Sequence, residues 1–496
     1  METGYIKNML HNAEEISWHT LYHADRNISA PFHLSLSDTD KHFVAEKVIR
    51  IIPGKRLVAY GMFGNQPVVA KLFYERRKAS RHALRDTLGV DALISSSVPT
   101  PKLIYKGTAK QQRIQILIFE RILNANTLEE IWQKKSDSEE ITPLLHAIIL
   151  ELATQHVLGI LQRDLHFKNF LIANNKIYTL DGSDIKKLHD RLSKKESLDH
   201  LALFFSQLGV GHELLRESLL TTYINARGWN LQYSEIHFLN QAYAKHQKKR
   251  WERFQKKITR SCSTYFCKNS ANDLVIFNRE YQSNSLIEFF QHPDAIFQSS
   301  QTEILKDGRS STVVKTHFDH HSFVVKRYNI KNIWHWLRRR FRPTRAAKSW
   351  RLSHYLYLMG IATAKPIALI EKKFWGLSQH SYFLMEHVPG IHIGEYFSLY
   401  DKNNPAFSEI AKKIIELFKH LASIGLSHND LKMTNILISH HKPIIIDLDG
   451  MREHRSPTSA MKRMKKDIVR FMRNWENNQS VHQLFENIIG ETSWKT

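Results

Sequence analysis

The sequence predicts an α+β chain of two tandem units, each a small β-rich N-terminal lobe followed by a larger helical C-terminal lobe. Three observations carry this. A length of 496 residues is enough for two to four domains. One polar motif, set in apolar strand-like runs, occurs twice: Asp164, Asn169 and Asp181 map onto Asp430, Asn435 and Asp447 at a constant offset of 266. Each copy follows a series of alternating, β-branched segments and then a long apolar-faced helix.

The first unit is assigned residues 1–265. HFVAEKVIRI, KRLVAYGMF and PVVAKLFY alternate apolar and polar residues and read as strands. ERRKASRHALRDTLGVDAL reads as a helix, QILIFE as a buried strand and ITPLLHAIILELATQHVLGI as a long helix. The motif LQRDLHFKNFLI then IYTLDG follows, and LDHLALFFSQL opens a mostly helical stretch to about Arg260. The second unit, residues 270–496, repeats the order. STVVKTHF and SFVVKRYN are strands, a basic helix comes next, and SYFLMEHV is a strand. The apolar helix SEIAKKIIELFKHLASIGL leads into LSHNDLKMTNILI and IIIDLDG. The boundary falls within residues 262–285, where no Pro/Ser-rich linker stands.

Composition narrows the class. The chain is 42% hydrophobic, which excludes global disorder. No run approaches 18 consecutive apolar residues, so no transmembrane helix is expected. METGYIKNMLHNAEE lacks a basic region followed by an apolar core, so no secretory signal is expected. Two cysteines, Cys262 and Cys267, exclude a disulfide framework and fit a reducing compartment. The formal net charge of +23 favours an anionic partner: nucleic acid, acidic lipid or a phosphorylated substrate.

The doubled motif has the parts that phosphoryl transfer from ATP requires. Nucleotide phosphates need a cation, Mg2+ needs hard oxygen ligands, and the acceptor hydroxyl needs a carboxylate to orient it and take its proton. Asp164 and Asp430 are the candidate catalytic bases. Asn169 and Asp181, and Asn435 and Asp447, are the candidate Mg2+ ligands. Lys71 in PVVAKLFY and Lys326 in SFVVKRYN end strand-like runs 93 and 104 residues before the respective Asp, and are the candidate phosphate-binding lysines. Asp86, on the first candidate helix, is the candidate acidic partner of Lys71. Glu120 in QILIFE and Glu386 in SYFLMEHV are placed with the ATP-binding residues. Taken singly, such an Asp reads equally as a turn or cap residue, and such a lysine as a solvated strand edge. In register, their order and spacing resemble the protein-kinase-like fold in both halves.

Three features depart from that pattern. Gly54, Gly61 and Gly64 in the first half, and Gly308 in the second, form no GxGxxG and read equally as hairpin turns. No acid stands between His320 and Ile370, so a carboxylate for Lys326 must come from elsewhere. Asp181-Gly182-Ser183 and Asp447-Leu448-Asp449 replace Asp-Phe-Gly, and no Ala-Pro-Glu follows either.

The chain resembles the lipopolysaccharide-core kinases, the Kdo/heptose (Kdo/WaaP) family of Gram-negative bacteria. In the first half the resemblance lies in VVAKLFYERRKASRHALRDTLGVDAL, VPTPKLIYKG, QRDLHFKNFLI, YTLDG and LDHLALFFSQL. In the second it lies in VVKRYNIKNIWHWLRRRFRPTRAAKSWRLSHYLYLMGIATAKPIALIE, LMEHVPG, SHNDLKMTNILI and IIIDLDGM. It implies a cytoplasmic, ATP- and Mg2+-dependent sugar kinase, peripheral to the inner membrane, that phosphorylates core heptose or Kdo. It also carries the six motif residues into the roles given above. Asp86 stands where the family tends to have Glu, and the duplication leaves open that one copy is a pseudokinase.

Between His320 and Ile370 stand eleven Lys/Arg. Arg338, Arg339, Arg340, Arg342 and Arg345, with Trp334, Trp336 and Trp350 interleaved, are the candidate residues for an anionic glycolipid substrate or membrane surface. A solvated basic face is the plainer reading. Nucleic acid is the less favoured partner, since no nucleic-acid motif accompanies the segment. The pairs His320-His321 and His440-His441 lack metal-binding spacing. Two further readings stay open: a Ser/Thr/Tyr protein kinase, and a catalytically inactive scaffold at the membrane.

Overall fold

The computed structural model describes residues 13–110, 113–135, 139–329, 343–374, 377–399 and 404–491. The chain divides into two compact units, one of residues 1–207 and 213–247 and the other of residues 208–212 and 248–496. The sequence-based boundary lies further on, at 265–270. The division falls inside one long helix, which carries no Gly or Pro to mark it.

The first unit opens on a seven-stranded sheet: β1 (Glu14–Glu15), β2 (Phe32–Ser35), β3 (His42–Ile52), β4 (Arg56–Phe63), β5 (Gln66–Phe73), β6 (Leu103–Thr108) and β7 (Gln115–Glu120). Their spatial order is β1-β2-β3-β4-β5-β7-β6. RLVAYGMF in β4 alternates half-buried and buried residues along its whole length, the period-2 pattern of a strand with one face on a core. That core gathers Phe43, Leu57, Ala59, Val68, Ala70, Ile116 and Ile118. Helix α1 (Ala79–Ser95) joins β5 to β6. The helical lobe follows with α2 (Thr142–Val157), α3 (Lys194–Phe205) and α4 (Glu213–Ala226). Ser193 and Glu196 start α3 with a reciprocal capping box. Helix α5 (Tyr233–Lys257) runs across the division between the units.

The second unit contains β8 (Tyr265–Asn269), β9 (Asp273–Asn278), β10 (Glu303–Gly308), β11 (Ser311–Phe318), β12 (His321–Tyr328), β13 (Pro366–Phe374) and β14 (Leu377–Glu386). The order is β8-β9-β13-β14-β12-β11-β10. Five strands therefore share one topology in both units: β3-β4-β5-β7-β6 and β10-β11-β12-β14-β13. The extra pair lies beyond the first of these strands in one unit and beyond the last in the other. Helix α6 (Arg345–Met359) takes the place of α1. Thr344 caps its first turn, and Gly360 ends it in the left-handed region, which a residue without Cβ enters at little cost. Helices α7 (Pro405–Ser423), α8 (Pro457–Met472) and α9 (Gln479–Gly490) enclose an apolar core that includes Ile414, Phe418, Leu421, Met464, Phe471 and Phe485. Asn404-Pro405 begins α7 with an amide cap and a proline, whose fixed φ suits the first turn.

Candidate functional site

Strand register fixes which end of each sheet faces the motif. Lys71 on β5 lies opposite Val58, two residues from the β3–β4 turn that holds Gly54. Gly54 has φ +65° in that turn. Gly61 and Gly64 fall elsewhere. A Cβ on Gly61 would meet the Val44 carbonyl oxygen at 2.0 Å, and Gly64 turns the opposite hairpin, β4–β5. In place of a glycine-rich loop, the near turn is flanked by Arg50 and Arg56. Burial and the neighbouring Arg56 lower the Arg50 pKa, against the opposing fields of Asp181 and Asp164. In the second unit Lys326 lies opposite Val313, near the β10–β11 turn that follows Gly308.

The motif builds the same loop pair twice. The Asn169 amide donates to the Asp164 carbonyl at 2.7 Å, and the Asn435 amide to the Asp430 carbonyl at 2.8 Å. The Leu180 N–H donates to Asn169 O at 2.8 Å, as Ile446 N–H does to Asn435 O at 3.0 Å. The Gln162 side-chain amide donates to Leu180 O at 3.1 Å. His428 makes the matching contact with Ile446 O at 3.3 Å. Both second aspartates take the left-handed conformation, Asp181 at φ 65° and Asp447 at φ 59°, unusual for a residue with a Cβ. Each asparagine spends its N–H2 on the loop, which leaves its side-chain carbonyl oxygen and the left-handed aspartate's carboxylate as the loop pair's oxygen donors. Those are hard oxygen donors of the kind Mg2+ takes when phosphates and water complete its shell. The residues therefore fit a Mg2+–nucleotide complex in both units.

The lysines differ in their partners. Lys71 donates to Asp86 at 2.8 Å and lies 3.6 Å from Asp181. Asp86 comes from α1 and is fully buried. Burial would raise the Asp181 pKa, but Lys71, the Ser183 hydroxyl, Arg56 and Arg50 outweigh it and hold the carboxyl below its usual range. Next along, burial and the Asp181 charge raise the pKa of Asp184, which pairs with Arg85 of α1 at 3.0 Å. Helix and loop touch without side chains between them: a Cβ on Gly89 would lie 1.8 Å from Gly182 O, and one on Gly182 would lie 2.4 Å from Asp86 O.

In the second unit Lys326 is 5% exposed and turns to the loop, 2.5 Å from Asp447 and 3.6 Å from Asp449. Burial opposes ionisation of Asp447, yet Lys326 pulls its pKa down to about 2. Asp449 moves the other way, raised by burial and by Asp447 against Lys326 and Arg345. Arg345 was grouped with surface arginines from sequence. It instead pairs with Asp449, stacks its guanidinium over Tyr328 at 4.9 Å and donates to Ser310 O at 3.2 Å. The reason is its position at the start of α6, against the Asp447 loop. Arg338, Arg339, Arg340 and Arg342 lie outside the described residues, as do Trp334 and Trp336.

Glu120 and Glu386 end the strands next to the lysine strands. The Glu120 carboxylate accepts from Lys102 N–H at 2.9 Å, and Glu386 N–H donates to Lys365 O at 2.9 Å. Neither glutamate forms an ion pair with its unit's lysine among the described residues.

The two first aspartates also differ. Asp430 pairs with Lys432 at 3.1 Å and Arg470 at 2.8 Å. Asp164 is exposed, and among the described residues no Lys or Arg pairs with it. Sequence reasoning missed Arg470, on α8, and with it Asp467. Asp467 is 2% exposed and one oxygen accepts both His428 N–H and Asn429 N–H at 2.9 Å. The available signal was a single acid inside the basic run MKRMKKDIVR.

The first unit holds its loop by a buried chain of hydrogen bonds. The Gln162 carbonyl can only accept, so His200 Nε2–H donates to it at 2.7 Å. The neutral ring then accepts at Nδ1 from His156 Nε2–H at 2.7 Å, and His156 Nδ1 accepts from the Tyr223 hydroxyl at 2.7 Å. Arg227 donates to Tyr223 at 3.0 Å. An added proton on His200 would set two N–H groups against each other, and one on His156 would displace the Tyr223 O–H from Nδ1. Burial lowers both pKa values, His200 to about 4; His200 and Arg227 lower His156 further, while the bond to Gln162 and the Asp199 charge oppose the shift at His200. Both rings bind protons more readily unfolded. The His200 contribution is therefore complete above about pH 6.5 and is lost as pH falls toward 4, by about 3 kcal/mol, and that of His156 runs in the same direction. Urea titrations at stepped pH should show this slope in the first unit, and His200→Gln should flatten it. An unchanged slope in the variant would remove His200 as its source.

Among the described residues no helix is long and apolar enough to cross a membrane, and no group of three His, Cys, Asp or Glu could hold a metal ion. Two comparisons bear on this geometry. The family model described as lipopolysaccharide kinase (Kdo/WaaP) matches residues 288–489. A serine/threonine-protein kinase of Saccharomyces cerevisiae, RAD53, is 31% identical over 94 residues. That match covers 18% of this chain, which spans 11% of the length of the yeast protein.

Proposed function

We propose, from the premise that the chain belongs through residues 288–489 to the lipopolysaccharide kinase (Kdo/WaaP) family, that it is an ATP- and Mg2+-dependent phosphotransferase acting on a lipopolysaccharide core sugar. The observation that carries the reading is the doubled loop pair. In each unit an aspartate, an asparagine bonded to that aspartate's carbonyl, and a left-handed aspartate beside a strand lysine recur. On this reading the chain is two kinase-like domains in tandem.

Mg2+ supplies charge neutralisation between the nucleotide phosphates when bound. Asn169 with Asp181, and Asn435 with Asp447, would hold it through oxygen. Lys71 and Lys326 would fix the α/β-phosphates as point charges. Asp164 and Asp430 would orient the acceptor hydroxyl and take its proton. Arg50 and Arg56 beside the first turn add positive charge where a glycine-rich loop would offer backbone N–H groups.

The acceptor side of the second unit is cationic. Lys462, Lys466, Arg470 and Arg473 are exposed and spaced so as to share one face at the end of which Arg470 meets Asp430. Such a stripe suits an anionic glycolipid or the anionic surface that carries it, consistent with an enzyme at the cytoplasmic side of an inner membrane. The likeness to a yeast serine/threonine kinase favours a second reading, a protein hydroxyl as acceptor. Radiolabelled ATP distinguishes the two. Label is expected in isolated core oligosaccharide, with one phosphoryl unit, about 80 Da, added by mass. Label in protein alone would replace the sugar reading, and label in neither would remove both.

A further inference from the structure

Burying an ammonium group is costly unless carboxylates face it, and the helix beside Lys326 offers none. RAAKSWRLSHYLYLM in α6 contains no acid, whereas α1 presents Asp86 to Lys71. Lys326 is nonetheless the more buried of the two lysines, with 6% of its side chain exposed against 18% for Lys71. Its two carboxylates both come from the loop after the strand Lys442–Ile445, two residues apart. Asp447 is the one the reading above assigns to Mg2+. Once its oxygens turn to a metal, the lysine needs another counter-charge.

We propose that Asp449 is the positioning residue that holds Lys326 in the second unit, in the place that the helix residue Asp86 occupies for Lys71 in the first. The side chain of Asp449 is 9% exposed and 3.6 Å from Lys326. α6 grips it from behind: the Arg345 guanidinium pairs with its carboxylate, and Lys348 donates to its backbone carbonyl at 2.8 Å. At the repeat offset of 266, Asp449 corresponds to Ser183, whose hydroxyl donates to Asp181 at 2.9 Å and supplies no charge. The carboxylate has thus moved from helix to loop, and helix α6 presents cations to the loop in return. In the first unit, loss of α1 from the sheet would strip Lys71 of Asp86. In the second, both carboxylates facing Lys326 sit on one short loop, and the helix acts on the lysine through Arg345 and Lys348, which hold Asp449.

The role of Lys326 toward ATP rests on the phosphotransfer reading, so the test separates the two. In the full chain, Lys326 acylation by acetic anhydride is followed by peptide mass spectrometry, with and without MgATP. Asp449→Asn should raise Lys326 labelling without nucleotide several-fold, because the side chain loses one of the two carboxylates that hold it. It should also weaken the protection that MgATP gives in the wild type. Arg345→Gln, which leaves Asp449 in place but ungripped, should give a smaller rise, and it serves as the deciding variant if Asp449→Asn fails to fold. Wild-type labelling in whichever of these variants folds, with Asp449→Asn taken first, overturns the assignment. If MgATP protects Lys326 in no form of the protein while Asp449→Asn still raises labelling, Asp449 keeps its place and the nucleotide reading of the second unit falls.

Discussion

Asp430→Ala is expected to slow phosphate transfer to isolated lipopolysaccharide core by about 10²–10⁴-fold, the usual contribution of a positioned acid–base group. The expectation rests on the loop geometry around Asp430. Its carbonyl is bonded to Asn435, and its carboxylate is oriented by Lys432 and Arg470. Those two cations fix where the carboxylate points, so an acceptor hydroxyl meets it in one orientation rather than several. Asp164→Ala, measured separately, assigns the first unit. A comparable loss there would place turnover in both units. Full activity in that variant would leave the first unit a non-catalytic copy. Full activity in both single variants and in the double variant would end the phosphotransfer account, since no other carboxylate occupies the matching position in either loop.

Asp467→Ala should lower the stability of the second unit by about 3 kcal/mol, because one buried and one part-buried backbone N–H lose their acceptor at once. The affected residues, His428 and Asn429, immediately precede Asp430. Asn429 is in the left-handed region, at φ 61°. Its amide accepts from Arg463 at 2.8 Å, and its backbone carbonyl accepts from Arg470 at 3.2 Å. With Asp467 gone, nothing compensates these N–H groups, and transfer should fall with stability. Urea denaturation of the full chain reads the effect as an earlier transition of the second unit. A shift worth under about 1 kcal/mol would mean that other groups hold the loop.

Much of this was legible in the sequence, for reasons specific to each part. The strands carrying Lys71 and Lys326 announce themselves because one face meets a core and the other does not, which leaves period-2 alternation in the chain. The motif residues stand out because polar groups at fixed spacing inside apolar runs have few structural excuses, and they have them twice. The partner of Lys71 was named from its place on the helix that follows. The partner of Lys326 was not. Its two carboxylates are 121 and 123 residues away in the chain, and charge partners brought by tertiary folding leave no periodic trace. The same limit hid Asp467, whose acceptor role depends on α8 crossing behind the loop, and the His156–His200 chain, whose histidines lie on different helices. The partner of Arg345 was hidden for a related reason: its sequence neighbours are arginines, but its position at the helix start turns it toward Asp449.

The meeting of Gly89 with Gly182 has a mechanical meaning. Two backbones pressed together with no side chain to cushion them leave no slack for one to slide while the other stays. Asp86 rides on the first of these segments and Asp181 precedes the second residue directly, so the two acids that flank Lys71 should arrive and depart as a pair. Any larger residue at position 89 would therefore force helix and loop apart and draw both acids away from Lys71, since its Cβ would lie 1.8 Å from Gly182 O.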